Sequence, residues 1–232
     1  MTARLLVVLC GLITQLAEHP VGGGCLQLLP VDGTWAQYHV DIQIANQGIN
    51  ATWLVRSVGE QMHDGKPCRW IELEQFSNNP QLGKLTWRCL VPEEEFGKGK
   101  HPIGQAVKVW HAMNGQNAEA VDSILAKDGF FGALIQGPEK ELKNEDAPEV
   151  VKWQGGELEC QVVTGESEAK FNTLVVPVHH RIFRHPDAPF GLGGLHWEVT
   201  LGAGNLRQTI TVKMTLQDQG TDAKAQYPHL GT

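Results

Sequence analysis

The sequence predicts an α+β domain built on one large, curved antiparallel sheet of about nine strands, half-barrel-like, with two or three short helices on the concave face. Two hairpin registers that agree with each other carry the sheet. A helical spacing in the middle of the chain carries the helices, and strand patterns that resume after it complete the order meander, helices, meander.

The first strand spans 33–45, where Trp35, Tyr38, Val40, Ile42 and Ile44 precede a turn at Asn46-Gln47-Gly48. Strands follow at 51–62, 67–76 and 84–92. Asp64-Gly65 between alternating runs is a strong two-residue hairpin signal. Centring a hairpin there sets Trp53 opposite Phe76, Val55 opposite Glu74, Gly59 opposite Trp70 and Gln61 opposite Cys68. Asn78-Asn79-Pro80 centres the next hairpin, with Trp70 opposite Trp87 and Cys68 opposite Cys89. Because side chains alternate along a strand, both registers put Trp53, Trp70, Phe76, Leu85, Trp87 and the two cysteines on one face. Gly59 across from Trp70 fits as well, since a ring can lie over a cross-strand glycine.

From 93 to 147 the pattern changes. Ala106, Val109, Trp110 and Met113 are spaced as on a helix over 105–113, and Ala118, Val121, Ile124 and Leu125 repeat the spacing over 118–126. Residues 137–148, rich in Lys, Glu, Asp and Pro, read as a solvated connection. Strands resume at 149–153, 157–165, 170–183, 194–201 and 206–217. The domain therefore covers 30–218, and 219–232 form a polar, flexible tail.

The start of the chain has another use. Arg4 precedes an apolar run, Leu5 to Leu16, too short to span a bilayer, which makes 1–23 a signal peptide and the protein exported to the periplasm or cell envelope. Cys25 raises lipoprotein anchoring as an alternative, although Val21-Gly22-Gly23-Gly24 lacks the usual Leu-small-small pattern. A formal net charge of −7 with no basic stripe argues against nucleic acid and anionic membrane surfaces. Export permits disulfides, and the facing pair Cys68–Cys89 is the expected one, at a non-hydrogen-bonded position; Cys25 and Cys160 pair or stay free.

Chemistry-bearing patterns are sparse. His179, His180, His185 and His196 are the densest histidines, but adjacent His179-His180 point to opposite faces. His185 and His196 flank the loop Pro186 to Gly191, so with Asp187 they frame a metal-dependent hydrolase as a competing reading; surface and loop histidines are the commoner use. The glycine runs Gly22-Gly23-Gly24 and Gly97-Lys98-Gly99-Lys100 match no phosphate-binding fingerprint, no Gly-x-Ser-x-Gly elbow occurs, and Glu157 and Glu159 lack an opposing carboxylate. No cofactor and no catalytic residue is implied.

The segment His185-Pro186-Asp187-Ala188-Pro189-Phe190-Gly191-Leu192 resembles the acidic, small, Pro-Phe-Gly segment of exported bacterial β-rich proteins, many without assigned function. Asp32-Gly33-Thr34-Trp35 opening the first strand also looks like them. Their organisation is similar to the LolA-like half-barrel group, and the resemblance implies a sheet wrapped around short helices that holds lipid or acyl chains. The functional expectation is a non-enzymatic envelope protein binding a lipid-like ligand, with Trp53, Trp70, Phe76 and Trp87 as the wall and the helices as lid. A structural or protein-interaction module, its aromatic face simply filled core, is the alternative.

Overall fold

A computed structural model of the protein describes residues 24–45, 47–77, 83–98, 101–114, 116–122, 137–171, 174–202 and 207–228. The expected signal peptide, 1–23, lies outside them. Among the described residues the chain forms one antiparallel sheet: β1 (Trp35–Ile44), β2 (Gln47–His63), β3 (Lys66–Ser77), β4 (Lys84–Pro92), β5 (Lys108–Met113), β6 (Glu119–Val121), β7 (Lys140–Asn144), β8 (Glu149–Trp153), β9 (Gly156–Phe171), β10 (Leu174–Arg184), β11 (Leu192–Leu201) and β12 (Gln208–Gly220). The order across it is β6-β5-β4-β3-β2-β1-β12-β11-β10-β9-β7, with β8 also paired to β9.

This all-β architecture overturns the α+β expectation. Of the stretches expected as helices, 108–113 form β5 and 119–121 form β6, Gln105 ends a 3-10 turn, and 123–126 lie outside the described residues. Only three short 3-10 turns occur among the described residues. The physical reason is that β5 is covered on both faces. Val109 joins the main core, while Trp110 on the other face lies 5.7 Å from Trp70, ring centre to ring centre. Apolar residues of both parities then mimic a helical spacing.

The sheet curls strongly. Val109 of β5 and Val151 of β8, from opposite ends, belong to one buried cluster. Gln154, after β8, donates its backbone N–H to the Gln217 carbonyl of β12 at 3.1 Å. The face that this cluster occupies is the inner face. Its residues alternate along the strands: Tyr38 and Val40, Trp53 and Val55, Ile71 and Leu73, Trp87 and Cys89, Leu195 and Trp197, Val212 and Met214. A smaller cluster of Val58, Cys68, Trp70 and Leu90 lies on the outer face.

Two register differences separate Trp70 from Trp53 and from Trp87. Near the Asp64-Gly65 turn the expected pairing holds, with Gln61 opposite Cys68. Beyond it, Val58 and Gly59 together stand against Trp70, a β-bulge, and Trp53 pairs with Gln75 rather than Phe76. Gly59 has φ +101°, and its N–H leaves the ladder for the Asp32 carboxylate at 2.5 Å. Asp32 thus stabilises the bulge. The next hairpin closes at Phe76 opposite Lys84, wider than the expected turn, so Trp70 faces Leu90, Leu73 faces Trp87 and Ile71 faces Cys89. The three-residue shift flips parity.

The Cys68–Cys89 disulfide falls with that register. Cys68 sits in the outer cluster and Cys89 in the inner one, and both are free thiols, as is Cys160.

Both ends of the sheet are guarded. β6 is three residues long. β7, Lys-Glu-Leu-Lys-Asn, is charged and irregular, its register to β9 breaking between Lys140 and Lys143.

Candidate functional site

The four residues expected to form one ligand wall are split between faces. Trp53 and Trp87 are buried in the inner core; Trp70 belongs to the outer cluster, and Phe76, on the outer face, is 39% exposed. No helix covers the inner face among the described residues. Its cover there is the chain's own irregular segments. The N–H groups of Gln27 and Leu28 donate to the Phe190 carbonyl at 2.8 and 3.1 Å. The Tyr38 hydroxyl donates to the Leu192 carbonyl at 3.1 Å, with the Pro189 carbonyl at 3.4 Å. The Asp187 to Gly191 segment therefore has an architectural job: it turns Phe190, at φ 58°, into the core and anchors residues 25–28 over it.

Beneath this cover lies a cavity of about 10 Å³ lined by Cys25, Leu26, Tyr38, Trp53, Leu73 and Met214, among others. That is room for about one water, far below the roughly 300 Å³ of a ligand pocket. Burial pushes the Cys25 thiol up to about 12. Cys25 itself is 4% exposed beneath this cover.

Ser167 and His180 form an inner-face pair that sequence reasoning did not single out. Ser167 Oγ and His180 Nε2 are 2.7 Å apart, a nucleophile–base spacing. Both are 2% exposed, and His180 Nδ1 has no hydrogen-bond partner to orient the ring. Burial drops His180 to about 3, keeping it neutral. No substrate reaches this hydroxyl from solvent, so the pair satisfies buried polar atoms. The signal was weak: one histidine of an adjacent pair must face inward, but its partner lies on another strand.

His185 and His196 do not make a metal centre. His196 pairs across the sheet with Arg181 and Lys213, and burial together with the Lys213 charge lowers its pKa. Two neighbouring cations disfavour a third. His185 Nδ1 accepts the Asp187 backbone N–H at 3.1 Å, and His185 lies beyond the end of β10. Among the described residues no group of three His, Cys, Asp or Glu could hold a metal ion.

The densest polar constellation lies on the outer face of β2, β3 and β4, where Arg56, Glu72, Glu74, Lys84, Thr86 and Arg88 share one side of the pleat. Glu72 is 0% exposed between Arg56 and Arg88, at 3.9 and 3.5 Å. Glu74 pairs with Arg56 at 3.0 Å and Lys84 at 2.9 Å. Burial alone would raise the Glu74 carboxyl, but hydrogen bonds from Lys84 and Arg56 bring it below the usual carboxylate range. Arg88 stacks 4.4 Å over the Trp70 ring, and burial lowers its pKa against the opposing pull of Glu72. Residues 221–228 cross this grid in extended form. The N–H groups of Gln226 and Tyr227 donate to the two Glu72 oxygens at 3.0 and 3.2 Å, and the Tyr227 hydroxyl donates to Glu74 at 3.0 Å. The sequence carried a trace of the grid in Glu72/Glu74 and Arg56/Arg88, charges at strand periodicity in runs otherwise rich in apolar residues.

No family model matches the chain, and no curated protein matches it. Among solved structures it is similar to a protein from Bacteroides fragilis described as exported, with a YmcC-like fold, at 9% identity and a TM-score of 0.40 over 85% of this chain and 99% of that one. It also aligns with MucB, solved in complex with MucA(peri), at 9% identity and a TM-score of 0.18 over 82% of this chain and 93% of that one. Both superpositions are too loose to bear on fold or partner, and neither confirms the LolA-like resemblance.

Proposed function

We propose that the chain is an exported, non-enzymatic protein of the cell envelope that works as an interaction or structural module. The observation that carries this reading is the inner face that the described residues fill. The side chains that could have walled a lipid site are divided between two faces, and the cavity left under residues 25–28 and 185–192 has the size of one water. Export rests on the basic start and apolar run of residues 1–16. The polar grid on the outer face, with its buried charges, offers side-chain chemistry to another polypeptide rather than to an apolar ligand.

Native mass spectrometry of freshly purified protein tests this. The expected spectrum is the bare polypeptide mass. A stoichiometric lipid adduct, lost on Trp53→Ala, would overturn the reading in favour of a lipid carrier.

A further inference from the structure

We propose that the outer-face groove over β3 and β4 is a peptide-docking site, occupied in cis by residues 221–228, that takes the same segment from a second copy of this chain. The proposal rests on the interaction-module reading and names its surface and partner.

The contacts are those of a receptor with a bound peptide. Glu72 grips two successive backbone N–H groups, an interaction with main chain that any extended segment can make. Specificity comes from one side chain: the Tyr227 hydroxyl reaches both Glu74, at 3.0 Å, and Thr86, at 3.2 Å, while Lys84 Nζ lies 5.8 Å from the ring centre. Ala223 and Ala225 pack against the Trp70 cluster, where small residues are needed for close approach. The segment thus reads Ala-x-Ala-x-Tyr, odd positions inward and even positions exposed.

The seated segment is held by hydrogen bonds rather than by burial: the Ala223 N–H also donates to the Gly33 carbonyl at 2.8 Å, and Asp222 accepts the Trp35 indole N–H at 2.8 Å. None of residues 221–228 is fully buried, none joins the main core, and none belongs to a strand. Beneath it, Glu72, Glu74, Thr86 and Arg88 are all buried, and Arg88 keeps Nε and Nη1 without a hydrogen bond. The segment itself covers that floor while its own alternate residues face water, so an identical segment can take its place contact for contact. Segments with few buried contacts open locally at low cost. A second copy brings an identical tail, so reciprocal exchange past Gly220 keeps every contact, the usual route to swapped dimers. In dilute protein the cis tail wins because tethering holds it at about millimolar effective concentration.

A labelled peptide of residues 221–228 and the full-length chain provide the test. The peptide is expected to bind the Tyr227→Ala chain, checked for native circular dichroism, at least tenfold tighter than the wild-type chain. The peptide carrying the same Tyr→Ala change is expected to bind neither, a control that involves no folding. Binding to neither chain, or binding that ignores the peptide's tyrosine, overturns the site. For the occupant, concentrated wild-type protein taken through mild urea and back should yield a dimer by light scattering, and the Tyr227→Ala chain should not. A chain that binds the peptide yet remains monomeric overturns the second copy as partner. Peptide failure with a lipid-free native mass spectrum removes this inference alone; a lipid adduct removes the module reading beneath it.

Discussion

His180 Nε2 lies 2.7 Å from Ser167 Oγ, inside the inner core, where the imidazole stays neutral. His101 is buried too: its Nδ1 accepts the N–H groups of Ile103 and Gly104, and burial lowers it to about 3. Unfolded imidazoles take up a proton near 6.5, whereas these two resist until about 3. Between those values the unfolded chain binds more protons, so stability is full above pH 6.5 and falls as pH drops through the window. Each imidazole contributes up to about 1.4 kcal/mol per pH unit. Urea denaturation at pH 5.0 to 7.0 should show this slope, reduced in His180→Asn; a flat profile contradicts the burial of these rings.

Removing the hydroxyl partner tests the same pair at fixed pH. Ser167→Ala leaves a buried imidazole nitrogen without a hydrogen bond and should cost about 1–3 kcal/mol in denaturant unfolding. An exposed pair would lose almost nothing.

Glu72 is the carboxylate on which Arg56 and Arg88 converge. Glu72→Ala strands the buried Arg88 guanidinium, while Arg56 keeps Glu74 at 3.0 Å, and should cost about 3–5 kcal/mol. Replacing both Glu72 and Arg88 by Leu and Met should recover part of that loss, because the apolar pair removes the stranded charge and Arg56 keeps Glu74. Equal losses in the single and double variants would show that the charges do not act together.

Gly191 sits at φ +74° with a would-be Cβ 3.0 Å from Leu28. Gly191→Ala should therefore destabilise by about 1–2 kcal/mol from backbone strain alone. The sharper readout is hydrogen exchange. The Gln27 and Leu28 amides, which bond to the Phe190 carbonyl, should lose protection before the strands do.

Cys68, Cys89 and Cys160 are buried free thiols, and Cys25 is buried as well. Iodoacetamide at pH 8 should label none of them in the native protein and all of them in denaturant, and reductant should leave the native mass unchanged. Labelling of Cys68 or Cys89 under native conditions would contradict their placement.

The sequence made the strands legible where alternation and turn chemistry agreed. The Asp64-Gly65 hairpin, the strand 84–92 and the pair around Leu195 and Ile210 stand where the residues indicate. Register beyond the first turn was hidden by one extra residue at Val58-Gly59, because the Asp32 side chain that holds the bulge lies outside both strands. β5 was masked by apolar residues on both of its faces. β7 was masked by the opposite condition, since nearly all its side chains are exposed and no alternation remains to read. The outer grid was illegible because its pairs join three strands and a tail whose proximity only the register determines.

The guarded ends of the sheet have a consequence for how this protein can assemble. Among the described residues, a three-residue strand at one end and a charged, kinked strand at the other offer no straight row of free amides to template a neighbouring chain. Growth into fibres by strand addition is disfavoured at these ends. Association has to be written in side chains, which makes it selective in sequence and finite in number.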